Sequence, residues 1–234
     1  MEERFPAERL EAVRARIRAA AERVGRDPSS VRLIGASKTV PAEVLAGAVR
    51  AGLADLGENR VQEAEAKAPL LRADLTDGAG PTWHLIGHLQ SNKARKAVAL
   101  FDWIHSVDSP RLADGLDRIA QELGRVPQVL IEVNTSGEAS KEGVEPGDAA
   151  ALIAHVAGLG SLRLAGLMTI GPLQGDPRPA FRLLRRLRDE GGLPERLVEL
   201  SMGMSGDFEA AIEEGSTMVR VGSALFGART RQEA

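Results

Sequence analysis

Neither cysteine nor tyrosine occurs anywhere in the 234 residues of this chain. The first absence excludes disulfides, thiolate metal sites and a cysteine nucleophile. The second excludes any mechanism that draws a phenol from this chain as acid, base or nucleophile. No apolar stretch is long enough to span a bilayer. No basic block exists either, and the net charge is −3, so nucleic acid finds no electrostatic foothold. The opening segment MEERFPAERLEAVRARI is charged and amphipathic and lacks the apolar region of a secretory leader, which makes a cytoplasmic location the expectation. What is present is ordinary for a soluble globular protein, with 43% hydrophobic and 27% charged residues. The length suits one large domain or two small ones, with a core that needs no staples.

Apolar residues at Leu10, Val13, Ile17, Ala20 and Val24 recur at helical spacing, which predicts an N-terminal helix ending near Gly25. Beyond it, short β-rich runs ending in polar or glycine residues alternate with helical stretches. The candidate strands are 31–37, 55–58, 83–87, 103–107, 128–134, 163–170, 197–202 and 218–222. Helices are expected to start near Pro41, Arg60, Ser91, Ser109, Pro146, Pro177 and Ser205, several with a capping residue or proline in the first turn. Eight alternations predict a single (β/α)8 TIM-type barrel over 31–229, preceded by the helix within 1–25 and followed by a polar tail at 230–234. An open doubly wound sheet is the alternative, and the two differ at the short second strand. Glycine- and proline-rich stretches at 77–81, 171–179 and 191–194 read as loops rather than linkers.

In such a barrel, functional side chains sit at the C-terminal ends of strands. Lys38 follows the apolar run IGAS and precedes a helix start, so it points at the mouth. A lysine in a partly dry site has its ammonium form disfavoured and is a candidate Schiff-base former, whereas an ordinary loop lysine is solvated. The segment ELSMGMSGDFEAA and the later VGSALFG occupy the loops after strands seven and eight, the recurrent phosphate site of this fold. There Ser201, Met204, Ser205, Gly222 and Ser223 offer hydroxyl and backbone N–H donors at two helix starts, although simple capping by Ser205 explains part of the pattern. Arg220 lies between Val219 and Val221, which turns it into the barrel, where it needs an acceptor such as Glu132, Glu199 or a ligand atom. Asn59 is placed to reach the mouth from GENRVQEAEAK, which otherwise reads as a strand end and a solvated charged helix. His84 and His88 bracket a strand end, and no acidic third ligand is evident beside them, so no metal site is expected. His105 reads as a strand-end residue.

These same residues carry a likeness. The segments LIGASKTVP, LGENRVQEAEAK, WHLIGHLQSNK, IHSVDS, EVNTSGEASKEGV, LAGLMTI and SMGMSGDFEAAIEEGSTMVRVGSALFGAR, in order from 31 to 229, resemble the pyridoxal phosphate homeostasis protein family (the YggS/PROSC family). The resemblance implies the barrel of the alanine racemase N-terminal domain and pyridoxal 5'-phosphate as cofactor. It implies an internal aldimine on Lys38, a phosphate held by the 201–205 loop with Gly222 and Ser223, and Arg220 facing the pyridine nitrogen. Asn59, His84 and Met168 are similar to pocket-lining positions. The N-terminal helix and the 172–195 region match least.

A pyridine nitrogen opposite a permanent cation resists protonation, so the ring is a poor electron sink. Racemases of the related fold add a tyrosine from a second subunit's extra domain, and this chain has neither the tyrosine nor residues for that domain. The expectation is a carrier or buffer of the cofactor in intracellular homeostasis, without classical catalysis, monomeric, with apo-enzymes as recipients. A weak racemase or lyase using Lys38 as base and His84 as acid is the competing expectation. A Schiff-base aldolase is a third, weakened by the lack of a carboxylate partner near the lysine. If Lys38 is not the tether, Lys93 and Lys141 are the next lysines in line.

Overall fold

Eight short strands alternate with helices and close on themselves. The computed structural model describes residues 5–75, 80–138 and 141–227, so the expected tail at 230–234 and most of the 77–81 loop lie outside it. The strands are β1 (Arg32–Ala36), β2 (Asp55–Glu58), β3 (Thr82–Leu85), β4 (Trp103–Val107), β5 (Gln128–Glu132), β6 (Arg163–Met168), β7 (Glu199–Ser201) and β8 (Met218–Val221). All pair in parallel, each with its sequence neighbour, and β1 pairs with β8 to close the barrel. The open sheet is thereby excluded. The short second strand is real: Leu56 and Gly57 sit in register with Gly35 and Ala36 on one side and with Trp83 and His84 on the other.

The helices are α1 (Ala7–Arg23), α2 (Ala42–Arg50), α3 (Val61–Asp74), α4 (Ala94–Leu100), α5 (Pro110–Leu123), α6 (Ala149–Ala157), α7 (Arg178–Glu190), α8 (Phe208–Glu213) and α9 (Ser223–Phe226). Starts at Pro41, Arg60, Ser109 and Pro177 fall within a residue of expectation. Three others come later than expected. Single 3-10 turns at Ser91–Lys93 and Pro146–Asp148 precede α4 and α6, and a turn over 205–207 precedes α8. In the last case Asp207 rather than Ser205 stands before the helix, and its Oδ1 accepts the Met204 N–H at 2.6 Å.

Strand alternation sorts the side chains into two cores. Leu56, Leu85, Ile104, Val129, Ile131, Leu167, Leu200, Val219 and Val221 face outward into the apolar layer under the helices. Inside the barrel, Ile34, Trp103, Leu130, Ala165, Met168 and Met218 form a smaller cluster. α1 buries Leu10, Val13, Ile17, Ala20 and Ala21 and lies against α8 and α9, the two elements after β7 and β8. Arg16 bonds Glu209 at 2.7 Å and stacks over Phe208 with its guanidinium carbon 4.5 Å from the ring centre, and Arg23 bonds Glu213 at 2.8 Å. The N-terminal helix therefore braces the loops at the barrel mouth from behind. Among the described residues, no helix is long and apolar enough to cross a membrane.

Candidate functional site

The C-terminal end of the barrel holds a cavity of about 250 Å³ bordered by Asn59, Ile86, Glu132, Asn134, Lys141 and Thr169. Lys38 leaves β1 at the same end and is half-buried. Among the described residues its Nζ has no hydrogen-bond or ion-pair partner. The backbone on either side of it, by contrast, is firmly held. Ser37 donates its N–H to the Gly57 carbonyl at 2.9 Å, and its hydroxyl bonds Glu58 Oε1 at 2.7 Å. Lys67 Nζ donates to the Ser37 carbonyl at 2.8 Å and to Glu58 at 2.7 Å. Thr39, at φ 64°, donates its N–H to Glu63 Oε2 at 3.1 Å. A β-branched residue in the left-handed region costs on the order of 1–3 kcal/mol and persists only where the surroundings enforce it. Glu58 is fully buried and the Lys67 side chain is only 13% exposed. The GENRVQEAEAK segment is thus not simply a solvated charged helix. Its Glu58, Glu63 and Lys67 clamp the turn that presents Lys38.

On β8, the strand that pairs with β1, Arg220 is buried, 4% exposed, and burial pushes its guanidinium down to about 10, still charged at neutral pH. Neither Glu132 nor Glu199 bonds it. Its Nη1 donates to the Ser201 carbonyl at 2.8 Å and to Ser201 Oγ at 2.7 Å, and its Nη2 donates to the Thr169 carbonyl at 2.9 Å. An arginine has five N–H donors. The three bonds leave donors, including Nε, without a partner among the described residues. Glu132 stands close enough to interact electrostatically but its Oε2 has no hydrogen-bond partner among the described residues, and burial pushes its carboxyl up to about 7 against the pull of Arg220.

The loops after β7 and β8 meet at Ser205, whose Oγ accepts from the Gly222 N–H at 3.1 Å and the Ala224 N–H at 3.4 Å. Met204 and Ser223 are exposed, and Gly222 is half-buried. Gly203 has φ 95°, and a Cβ there would stand 2.5 Å from Ala211 Cβ, so only glycine lets this loop lie flat on α8. Met168 ends β6 inside the barrel, and Asn59 borders the cavity.

His84, expected at a strand end and among the cofactor-binding residues, lies in β3, one residue before its end. It is fully buried below the mouth, with Nδ1 3.0 Å from His105 Nε2 and Nε2 2.9 Å from Asp55 Oδ1. Both ring nitrogens are thus engaged away from the cavity, and burial holds its pKa below the ordinary histidine value. His105, read as a strand-end residue, is also inside the barrel and bonds Ser201 Oγ through Nδ1 at 2.9 Å. His88 turns the other way, into solvent, 3.7 Å from Asp108 Oδ2 and 3.8 Å from Glu142 Oε2. Those acidic neighbours come from loops after β4 and β5 and were not visible from the spacing around His88. A second hollow, about 360 Å³, lies at the opposite end of the barrel among Arg14, Arg18, Arg32 and Asp55.

The alanine racemase N-terminal domain family matches residues 9–230. A pyridoxal phosphate homeostasis protein of Aquifex aeolicus is 46% identical over 228 residues, covering 95% of this chain and 97% of the relative. The chain belongs to the pyridoxal phosphate homeostasis protein family. Family proteins of Pseudomonas aeruginosa, at 47% identity, and Escherichia coli K12, at 43%, each match over 95% of this chain and 95% and 96% of their own lengths. PipY of Synechococcus elongatus, solved with pyridoxal phosphate bound, superposes with a TM-score of 0.80 at 44% identity over 94% of this chain and 99% of its own. An alanine racemase of Clostridium difficile shares the fold at 16% identity and a TM-score of 0.68, and this chain covers 57% of it.

Proposed function

We propose that this chain is a single barrel domain that binds pyridoxal 5'-phosphate covalently and reversibly, as a Schiff base on Lys38. In this reading it serves as an intracellular carrier or buffer of the cofactor rather than as an enzyme. The observation that carries the reading is a Lys38 amine without a partner among the described residues, on a clamped turn after β1, together with a fixed Arg220 on the neighbouring β8 whose remaining donors have no partner among the described residues either. The residues suit the group. Pyridoxal phosphate supplies an aldehyde that an amine captures, a ring nitrogen that accepts a hydrogen bond and a phosphate. Lys38 is the nucleophile, and Arg220 faces the ring nitrogen. Met204, Ser205, Gly222 and Ser223 hold the phosphate at the corner where Ser205 already gathers two backbone N–H groups. Asn59 and Met168 line the ring site, while His84 acts from beneath it. The relatives' naming and the bound cofactor of PipY support this assignment. A cytoplasmic monomer that passes the cofactor to apo-enzymes completes the reading.

The test is turnover. Purified protein loaded with the cofactor should be yellow and should leave a panel of amino acids essentially unchanged. Efficient, stereospecific conversion of any of them would refute the carrier reading.

One observation favours a second reading, a pyridoxal-phosphate enzyme with weak amino-acid racemase or lyase activity. Glu132, rather than His84, keeps an exchangeable proton on a carboxyl that borders the cavity. Solvent deuterium incorporation at an amino acid's α-carbon that disappears in Glu132→Gln would establish it, and incorporation that survives the substitution would remove Glu132 from the chemistry.

A further inference from the structure

Arg220 carries a buried positive charge, yet no carboxylate among the described residues pairs with it. Its hydrogen bonds lead instead into a chain of side chains contributed by four other strands. Arg220 Nη1 reaches Ser201 Oγ at 2.7 Å, Ser201 Oγ reaches His105 Nδ1 at 2.9 Å, His105 Nε2 reaches His84 Nδ1 at 3.0 Å, and His84 Nε2 reaches Asp55 Oδ1 at 2.9 Å. Asp55 opens β2 at the far end of the barrel, borders the 360 Å³ hollow and pairs with Arg32 at 3.4 Å.

The chemistry of the two ends fixes every proton between them. Arginine can only donate, and a carboxylate can only accept. Burial keeps both imidazoles neutral, His105 well below the ordinary value, with Arg32, Asp102 and Arg220 as the charged neighbours besides Asp55. A neutral imidazole has one N–H. His84 must spend its own on Asp55, from Nε2, which leaves Nδ1 bare. His105 must then donate from Nε2, which leaves its Nδ1 to accept the Ser201 hydroxyl proton. The lone pairs of Ser201 thereby face Arg220. All four links run in one direction, no donor or acceptor is orphaned, and each dipole points its negative end at the guanidinium. Bonds aligned in this way polarise and strengthen one another in a low-dielectric interior.

We propose that Asp55, His84, His105 and Ser201 are positioning residues that form a one-way hydrogen-bond relay, fixing Arg220 at the mouth from a carboxylate at the floor of the barrel. The relay connects the solvent-facing hollow at one end to the cofactor site at the other. Its relevance to the cofactor rests on the function proposed above, but its geometry does not.

With four histidines in the chain, the test is direct. Nitrogen-15 NMR of the unloaded protein distinguishes the two imidazole tautomers. Both His84 and His105 should be protonated at Nε2 alone. In Asp55→Asn, whose amide can donate as well as accept, the tautomer fixed at His105 should become mixed although His105 does not touch position 55. Ser201→Ala should leave both imidazoles protonated at Nε2, because Asp55 sets the tautomers from its own end through His84, which keeps the idea testable if the Asp55 variant fails to fold. In loaded protein, Asp55→Asn should move the visible band or its pH profile while Lys38 still captures the cofactor. An Nδ1-protonated His105 in the wild type or in Ser201→Ala, or a His105 indifferent to Asp55→Asn, overturns the relay. A wild type with no visible band refutes the proposed function and leaves the tautomer result standing.

Discussion

Replacing Glu132 with glutamine should make the protein more stable at alkaline pH and leave it nearly unchanged at acid pH. Glu132 is 4% exposed, its Oε2 has no hydrogen-bond partner among the described residues, and burial lifts its carboxyl to about 7 from the ordinary 4.5. At about 1.4 kcal/mol per pH unit, ionising it in the folded state costs roughly 3 kcal/mol relative to the unfolded chain. A folded-state pKa raised above the unfolded one gives stability that is complete below pH ~4.5 and lost as pH rises through about 7, because the native state binds the extra proton. Glutamine has the same shape and no charge to bury, so the penalty never develops. The assay is denaturant unfolding of wild type and Glu132→Gln at pH 5 and pH 8.5. His84 and His105 titrate in both proteins and cancel in the comparison. The stability gap between the two proteins should widen by roughly 3 kcal/mol on going to pH 8.5. Parallel pH profiles would show that Glu132 is ionised in the fold or is far better solvated than its position implies.

Other expectations follow from the clamp and the mouth loops. Lys67→Met strands the buried Glu58 carboxylate and should cost about 3–5 kcal/mol in unfolding free energy, with faster proteolysis near Thr39. A loss within 0.5 kcal/mol would show that the pair is solvated. Gly203→Ala demands a Cβ 2.5 Å from Ala211 Cβ at φ 95° and should lower thermal stability and phosphate-dependent cofactor affinity together, as read by melting and by fluorescence titration. Unchanged affinity would separate this loop from the phosphate. The two buried imidazoles have depressed pKa values, so their contribution is present above pH ~6.5 and lost as pH falls below it. His105→Gln should therefore flatten the acid limb of the stability profile, and an unaltered limb would place the acid sensitivity elsewhere.

The barrel was legible because every strand but β2 (DLGE) announces itself by a short apolar run, and the in–out alternation turned Arg220 inward and its valine neighbours outward. Helix starts slipped where a 3-10 turn precedes the helix or where Asp207 takes the capping place of Ser205. What alternation cannot tell is which inward residues meet. His84 and His105 are 21 positions apart, and His105 and Ser201 are 96 apart, yet barrel closure makes each pair a hydrogen bond. The clamp on Lys38 did leave a trace. Lys67 falls on the same helical stripe as the buried Ala64, Ala68 and Leu71, an odd place for a cation without a buried partner.

Covalent capture at Lys38 is the claim on which the rest depends. The most direct measurement is the visible spectrum of protein loaded with pyridoxal phosphate, wild type against Lys38→Ala, followed by borohydride reduction and peptide mass analysis. The account expects a visible band and one reduced pyridoxyl-phosphate adduct on the Lys38 peptide in the wild type, and neither in the variant. A band that persists in Lys38→Ala, with the adduct on Lys93, Lys141 or any other lysine, would contradict it.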